Sequence, residues 1–233
     1  QHAVEGRHEV TAMSIHAYAH LSEKYALLNH GASMGENYGP VLIAREPKTR
    51  EDLAGVKIAV PGKWTSAALA TKLWYPEAVT EVVEFDQIMD RVGSGEFEAG
   101  VIIHEGQVTY KEQGYHSVVD LGEWWAQTQD GLPLPLGGNA IRRDLGEEHI
   151  QEISRILRES IAYALDNREE ALQYAETYNR GLTRELTDKF VGMYVNQRTL
   201  DYGDDGREAV TRFLHMGEEM GAIPPVAHPE FIR

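Results

Sequence analysis

The chain contains no cysteine, so it can hold no disulfide, no thiolate nucleophile and no cysteine-ligated metal. No apolar run approaches the ~20 residues that a membrane-crossing helix requires. Basic residues are scarce: 22 Lys and Arg stand against 37 Asp and Glu, a formal net charge of -15. A surface of that sign repels phosphate backbones, which excludes nucleic acid as an expected partner. There is no internal repeat and no low-complexity tract. What is present is an ordinary globular composition, 42% hydrophobic and 25% charged over 233 residues, enough for a sizeable core in one or two domains. The first residue is Gln1, and "QHAVEGRHEV" opens in what reads as the end of a helix. The chain is therefore expected to be a fragment lacking its first strand and helix, and the presence of a signal peptide cannot be judged from it.

Three zones follow. Up to about Glu46, "EVTAMS" reads as a short strand, "IHAYAHLSEKY" as a helix, "GASMGENYG" as a glycine loop and "PVLIARE" as a second strand. The middle zone alternates: "KIAVPG", "TEVVEF", "AGVIIHE" and "HSVVDL" are strands, and "TSAALATKLW" and "DQIMDRVGSG" are helices. Alternation at this spacing predicts a parallel sheet covered by helices. From about Asp144 the chain is helical. Ile150, Ile153, Leu157, Ile161 and Leu165 make one apolar stripe, Leu186, Phe190 and Tyr194 another, Val210 and Leu214 a third; all read as core packing. Thr183 and Thr187 stand where a helix starts, and Gly221 followed by Pro224 where one stops.

Two connectors flank the middle zone, "REPKTREDLAG" and the proline- and glycine-rich "GLPLPLGGNAIRRD". An α/β unit inserted between two chain crossings predicts two lobes, residues 1–48 with 136–233 and residues 49–135. A small ligand would then bind in the cleft between them, outside the strand ends.

"GASMG", Gly31 to Gly35, matches the G-x-S-x-G of a nucleophile elbow, around Ser33. That motif needs a strand before it and a helix after it, whereas the following segment turns at Gly39-Pro40 into a strand. A glycine loop lining a cleft is the better reading. His16 and His20 share one helical face at a spacing that can bind zinc, but no third ligand and no H-E-x-x-H accompanies them, so no metal is expected. Three strand ends carry more. "TAMSIHAY" places Ser14 at a strand-to-helix switch. "PGKWTSAA" places Thr65 or Ser66 at a helix start, either as a plain N-cap or as an anion site built from free N–H groups and the positive dipole end. "GVIIHEGQVTY" drives an apolar strand into His104 and Glu105. His104 is either a strand-end histidine bonded to a backbone group or a base at the cleft. Glu105, adjacent to it, points to the opposite face and reads as structural. The three ends together predict a cleft for an anionic small molecule.

The segments "HAYAHLSEKYALLNHGASMGENYGPVLIARE", "IAVPGKWTSAAL", "GVIIHEGQVTY", "VVDLGEWW", "GLPLPLGGNAIRRDLG" and "YVNQRTLDYGDDGREAV" occur in the order, and over nearly the whole length, seen in a known family. The chain resembles the 1,4-dihydroxy-6-naphthoate synthases of the futalosine route to menaquinone. The resemblance implies a two-lobed fold similar to type 2 periplasmic binding proteins, with an inserted small α/β lobe and a helical C-terminal part. It implies a cytoplasmic lyase with no cofactor that fragments cyclic dehypoxanthinyl futalosine, a small carboxylated substrate. It places the general base at His104 and substrate-binding positions at Met13, Ser14, Thr65, Ser66, Ile103 and Leu136. The family's "SPCPNDTF"-like opening is absent from this chain. Two other readings stay open: the related chorismate dehydratase of the same pathway, and a solute-binding protein without catalysis, since fold alone does not decide function.

Overall fold

The computed structural model describes residues 2–178, 183–226 and 228–232. Its strands are β1 (Val10–Ser14), β2 (Tyr25–Leu28), β3 (Ser33–Gly35), β4 (Val41–Ala44), β5 (Lys57–Val60), β6 (Val79–Val82), β7 (Ala99–Ile102), β8 (His116–Asp120), β9 (Leu134–Arg142) and β10 (Phe231–Ile232). They form two five-stranded sheets. One runs β1-β9-β2-β10 with β3 also on β9; the other runs β6-β5-β7-β4-β8. The first four helices are α1 (His2–Glu5), α2 (Ile15–Ala19), α3 (Ser66–Trp74) and α4 (Ile88–Gly93). The short α5 (Gly106–Thr109) and α6 (Leu121–Thr128) complete the middle zone. The C-terminal part is α7 (Glu147–Asp166), α8 (Arg168–Glu176), α9 (Arg184–Tyr194), α10 (Gln197–Leu200) and α11 (Gly203–Glu219).

The architecture is the expected two-sheet α/β fold with a helical C-terminal part, and four details differ from the sequence reading. The middle sheet is mixed: β5 is parallel to β6 and β7, but β4 is antiparallel to β7 and β8. By strand pairing β4 sits in the second sheet, so the first crossing lies between Gly35 and Val41, ahead of residue 48. The helix expected over "IHAYAHLSEKY" stops at Ala19, and the buried run Tyr25–Leu28 is a strand. Most consequentially, the connector "GLPLPLGGNAIRRD" contains the nine-residue strand β9, paired to β1, β2 and β3. Its glycines serve packing: a Cβ on Gly138 would lie 2.0 Å from the hydroxyl of Tyr202. Glycine in a strand interior often marks such a close approach.

Between the sheets lies α3, whose small residues Ala67, Ala68 and Ala70 are buried. One apolar cluster runs from Ile15 and Tyr18 through Leu69 to Trp125 and Phe213, and it also takes in Leu42 and Val101 of the second sheet. Each large side chain buried in that way contributes roughly 1.5–3 kcal/mol. The two sheets therefore share a core, with α3 packed between them. The stripe of α11 buries Val210, Phe213 and Leu214, and the helix ends as its composition predicts, with Gly221 at φ 71°.

Candidate active site

Three chain turns converge where the sheets meet. β1 delivers Ser14 in an extended conformation at the start of α2, and its hydroxyl makes no capping bond. β5 ends at Val60, and Thr65 caps α3: its Oγ1 accepts from the Ala68 N–H at 3.2 Å and donates to the Gly62 carbonyl at 2.9 Å. Ser66 is 2% exposed. Its hydroxyl donates to the Leu136 carbonyl at 2.5 Å and accepts from the His16 N–H at 3.4 Å. That one side chain ties the starts of α2, α3 and β9 together. β7, parallel to β5, delivers Ile103 and His104 at the same sheet end.

A cavity of about 230 Å³ lies at this junction. Five of the residues expected from sequence line it: Ser14, Thr65, Ser66, Ile103 and Leu136. So does Ser33 of the glycine loop; that serine opens β3 and pairs with Gly137, with no strand-to-helix elbow around it. The wall also includes Gln107 and Tyr194, which the sequence did not single out. Tyr194 read there as part of an apolar stripe, but a buried phenol needs a hydrogen-bond partner, and that requirement was the available signal. No lining residue carries a formal charge. The positive end supplied to the cavity is the first turn of α3, where the N–H groups of Ser66 and Ala67 have no partner among the described residues.

Met13 and His104 do not line the cavity. Met13 packs partly buried against the core, the opposite face of the strand from Ser14. His104 stands one residue beyond Ile103. Its Nδ1 accepts the Gly106 N–H at 2.9 Å, and Glu105 Oε2 lies 3.8 Å from the same nitrogen. Phe85 is 5.9 Å from the ring. The bond to a nearby backbone group expected of a strand-end histidine is thus present. A nitrogen that accepts an amide proton is itself unprotonated, so the neutral ring carries its hydrogen on Nε2.

His16 and His20 are engaged elsewhere. His16 Nδ1 lies 3.0 Å from the Thr65 carbonyl, which fixes the proton on Nδ1. Burial holds its pKa below the usual histidine range, against the raising effect of that bond. His20 stacks on Trp64 at 4.3 Å and 11°. Among the described residues no group of three His, Cys, Asp or Glu is placed to hold a metal ion, and no helix is long and apolar enough to cross a membrane. Behind the cavity, Asp120 caps α6 through the Gly122 and Glu123 N–H groups. Burial pushes its carboxyl up to about 6 in spite of those bonds.

Two sheets exchanging the chain at their crossings, with a small cavity at the strand ends, define the architecture of the periplasmic solute-binding proteins. The alkanesulfonate-binding protein of Xanthomonas axonopodis pv. citri superposes with a TM-score of 0.65 at 10% identity, over 98% of this chain and 81% of that one. That likeness is one of fold alone. A solved structure of a protein from Archaeoglobus fulgidus superposes with a TM-score of 0.90 at 45% identity, over 95% of this chain and 82% of that one. A family model described as menaquinone biosynthesis matches residues 1–219. A curated protein of Thermus thermophilus named 1,4-dihydroxy-6-naphthoate synthase is 41% identical over 230 residues, 99% of this chain and 84% of that protein. The chain belongs to the menaquinone biosynthesis family, as the segments quoted from its sequence led one to expect.

Proposed function

We infer that the chain is a lyase forming 1,4-dihydroxy-6-naphthoate from cyclic dehypoxanthinyl futalosine, in the cytoplasm, with His104 as general base. The observation that carries this reading is the uncharged cavity at three strand ends, which gathers Ser14, Thr65, Ser66, Ile103 and Leu136 in a chain of the menaquinone family. A carboxylated ligand finds donors there in the Ser66 and Ala67 N–H groups and in the hydroxyls of Ser14 and Ser33. A helix N-terminus favours an anion without a lysine or arginine.

Starting carbon–carbon cleavage requires removal of a proton, and a base titrating near neutrality does this efficiently. No side chain lining the cavity can serve as that base, since burial holds the Tyr194 phenol well above its usual range. His16 faces the Thr65 carbonyl. His104 is the imidazole next to the wall, one residue past Ile103. To act, its ring turns away from the Gly106 N–H and presents Nδ1 to the substrate. Closure of the two sheets on the ligand would exclude water from that step.

The test is turnover of cyclic dehypoxanthinyl futalosine, and separately of chorismate, followed by chromatography with mass detection. Naphthoate formation by the parent protein is expected, with a loss of about 10²- to 10⁴-fold in His104→Ala and an unchanged unfolding temperature. Dehydration of chorismate instead would assign the related dehydratase, and ligand binding without turnover would make the chain a solute-binding protein. Near-parental turnover in folded His104→Ala would remove the base.

A further inference from the structure

Gln107 follows His104 by three residues and faces the cavity from α5. Its Nε2 is hydrogen-bonded to the Gly39 carbonyl, at the crossing into the second sheet. The hydroxyl of Tyr194, from α9, donates to its Oε1 at 2.8 Å. The chemistry of these partners settles how the amide is turned. A carbonyl only accepts, so the atom facing Gly39 is the nitrogen; the oxygen then faces Tyr194, whose hydroxyl must be the donor. An amide has two N–H hydrogens. One is held by Gly39; the other has no partner among the described residues, and Gln107 is part of the cavity wall.

We infer that Gln107 is a specificity-determining residue of the reaction, held by Gly39 and Tyr194 so that it offers the ligand an N–H donor and never an acceptor. This rests on the functional reading above and deepens it. Tyr194 is a positioning residue acting through Gln107. Were the amide to flip, it would present its oxygen and repel the ligand oxygen it should bind. The cavity is otherwise furnished with hydroxyls, which donate or accept as required. A donor of fixed sense therefore selects ligands bearing an oxygen acceptor at this end and rejects isosteres with a donor there. The turn that holds Gln107 also holds the base: the Gln107 N–H donates to the His104 carbonyl at 2.9 Å. Occupancy at Gln107 is thereby coupled to the placement of His104.

The test uses Tyr194→Phe, Gln107→Glu and the double variant, with kcat and KM for cyclic dehypoxanthinyl futalosine and the unfolding temperature measured on each. Tyr194→Phe keeps the ring and is expected to raise KM roughly 2- to 10-fold, the range of a lost neutral hydrogen bond. Gln107→Glu, which replaces the donor with an acceptor of the same shape, is expected to raise KM by more, roughly 10- to 100-fold. Both ends of a carboxylate accept, so in Gln107→Glu no orientation remains to be held. There, Tyr194→Phe should leave KM unchanged. An equal KM increase from Tyr194→Phe in both backgrounds, or a loss of unfolding temperature with KM unmoved, would overturn the inference. Should Gln107→Glu not fold, Gln107→Met serves as the background, since it too lacks an amide to orient, with the same expectation. A parental protein that does not turn over this substrate would sink the functional reading instead, and the two failures are thus separable.

Discussion

Ser66→Ala separates what the hydroxyl does for the fold from what it does for a ligand. The side chain is 2% exposed and donates to the Leu136 carbonyl at 2.5 Å. Removing it leaves a buried acceptor without its partner, which costs about 1–3 kcal/mol. The second bond, from the His16 N–H at 3.4 Å, is long enough to add little. A loss of about 2 kcal/mol corresponds to a fall in Tm of about 4–8 °C for a chain of this size. The effect on affinity should be smaller than for an uncommitted hydroxyl. Ser66 has one hydrogen, and a ligand carboxylate can take it only by displacing Leu136. What is lost on substitution is the difference between a charged and a neutral hydrogen bond, about 1 kcal/mol or roughly 5-fold in affinity. Ser14→Ala is the comparison: its hydroxyl makes no hydrogen bond among the described residues, so Tm should hold while KM rises more. Calorimetry and substrate KM on the same preparations provide the readouts. Ser66→Ala with parental Tm and a loss of affinity beyond 10-fold would show that the hydroxyl serves the ligand and that the tie to Leu136 is incidental.

Further expectations bear on the scaffold around the cavity. Asp120 titrates in the folded chain at about 6 against an ordinary 3.8. The folded state therefore binds the proton more tightly, and this group's contribution to stability falls as pH rises from about 3.8 to about 6 and is constant above. Asp120→Asn keeps a capping oxygen and removes the titration. The Tm of the variant relative to the parent should climb across that window, and a flat difference would refute the burial argument. Gly122→Ala should cost about 3 kcal/mol or more in denaturant unfolding, because its Cβ would lie 1.9 Å from the Tyr38 carbonyl oxygen. Parental stability would mean that the close approach of the two backbone segments is not needed.

What the sequence made legible was mostly turn chemistry. Ser14, Thr65 and the end of "GVII" are each marked by a switch from an apolar run to a polar starter, and each falls where that switch places it. The stripe of α11 was equally plain, with Val210 and Leu214 buried, whereas the stripes of α7 and α9 are only partly buried. β2 was hidden because Tyr18, Leu21, Tyr25 and Leu28 are spaced like one face of a helix, and a fully buried strand has no alternation to betray it. β9 was hidden for the opposite reason. Pro133, Pro135, Gly137 and Gly138 are loop signals, and the tertiary contact with Tyr202 explains why glycine belongs at 138. Gln107 and Tyr194 lie far apart in the chain, and nothing local announces that one will orient the other.

Two of the groups placed to bind a ligand, Ser66 and Gln107, also tie separate elements together. Ser66 joins α3 to β9, Gln107 joins α5 to the Gly39 crossing and to α9, and the His104 turn closes on its own Gly106 N–H. In the state described the cavity is about 230 Å³, below the ~300–1,000 Å³ usual for small-molecule sites. A ligand of the proposed size therefore enters only as the sheets part. The donors the ligand then meets are the Ser66 hydroxyl, released from Leu136, and the Ser66 and Ala67 N–H groups, unpartnered among the described residues. Because a ligand shifts such an equilibrium only by its differential affinity for the two states, a ligand that cannot use these donors gains nothing by opening the cavity. Exchange of the Ser66 bond to Leu136 for a bond to the ligand thus links selection of the substrate to opening of the cavity, and it does so with uncharged groups throughout.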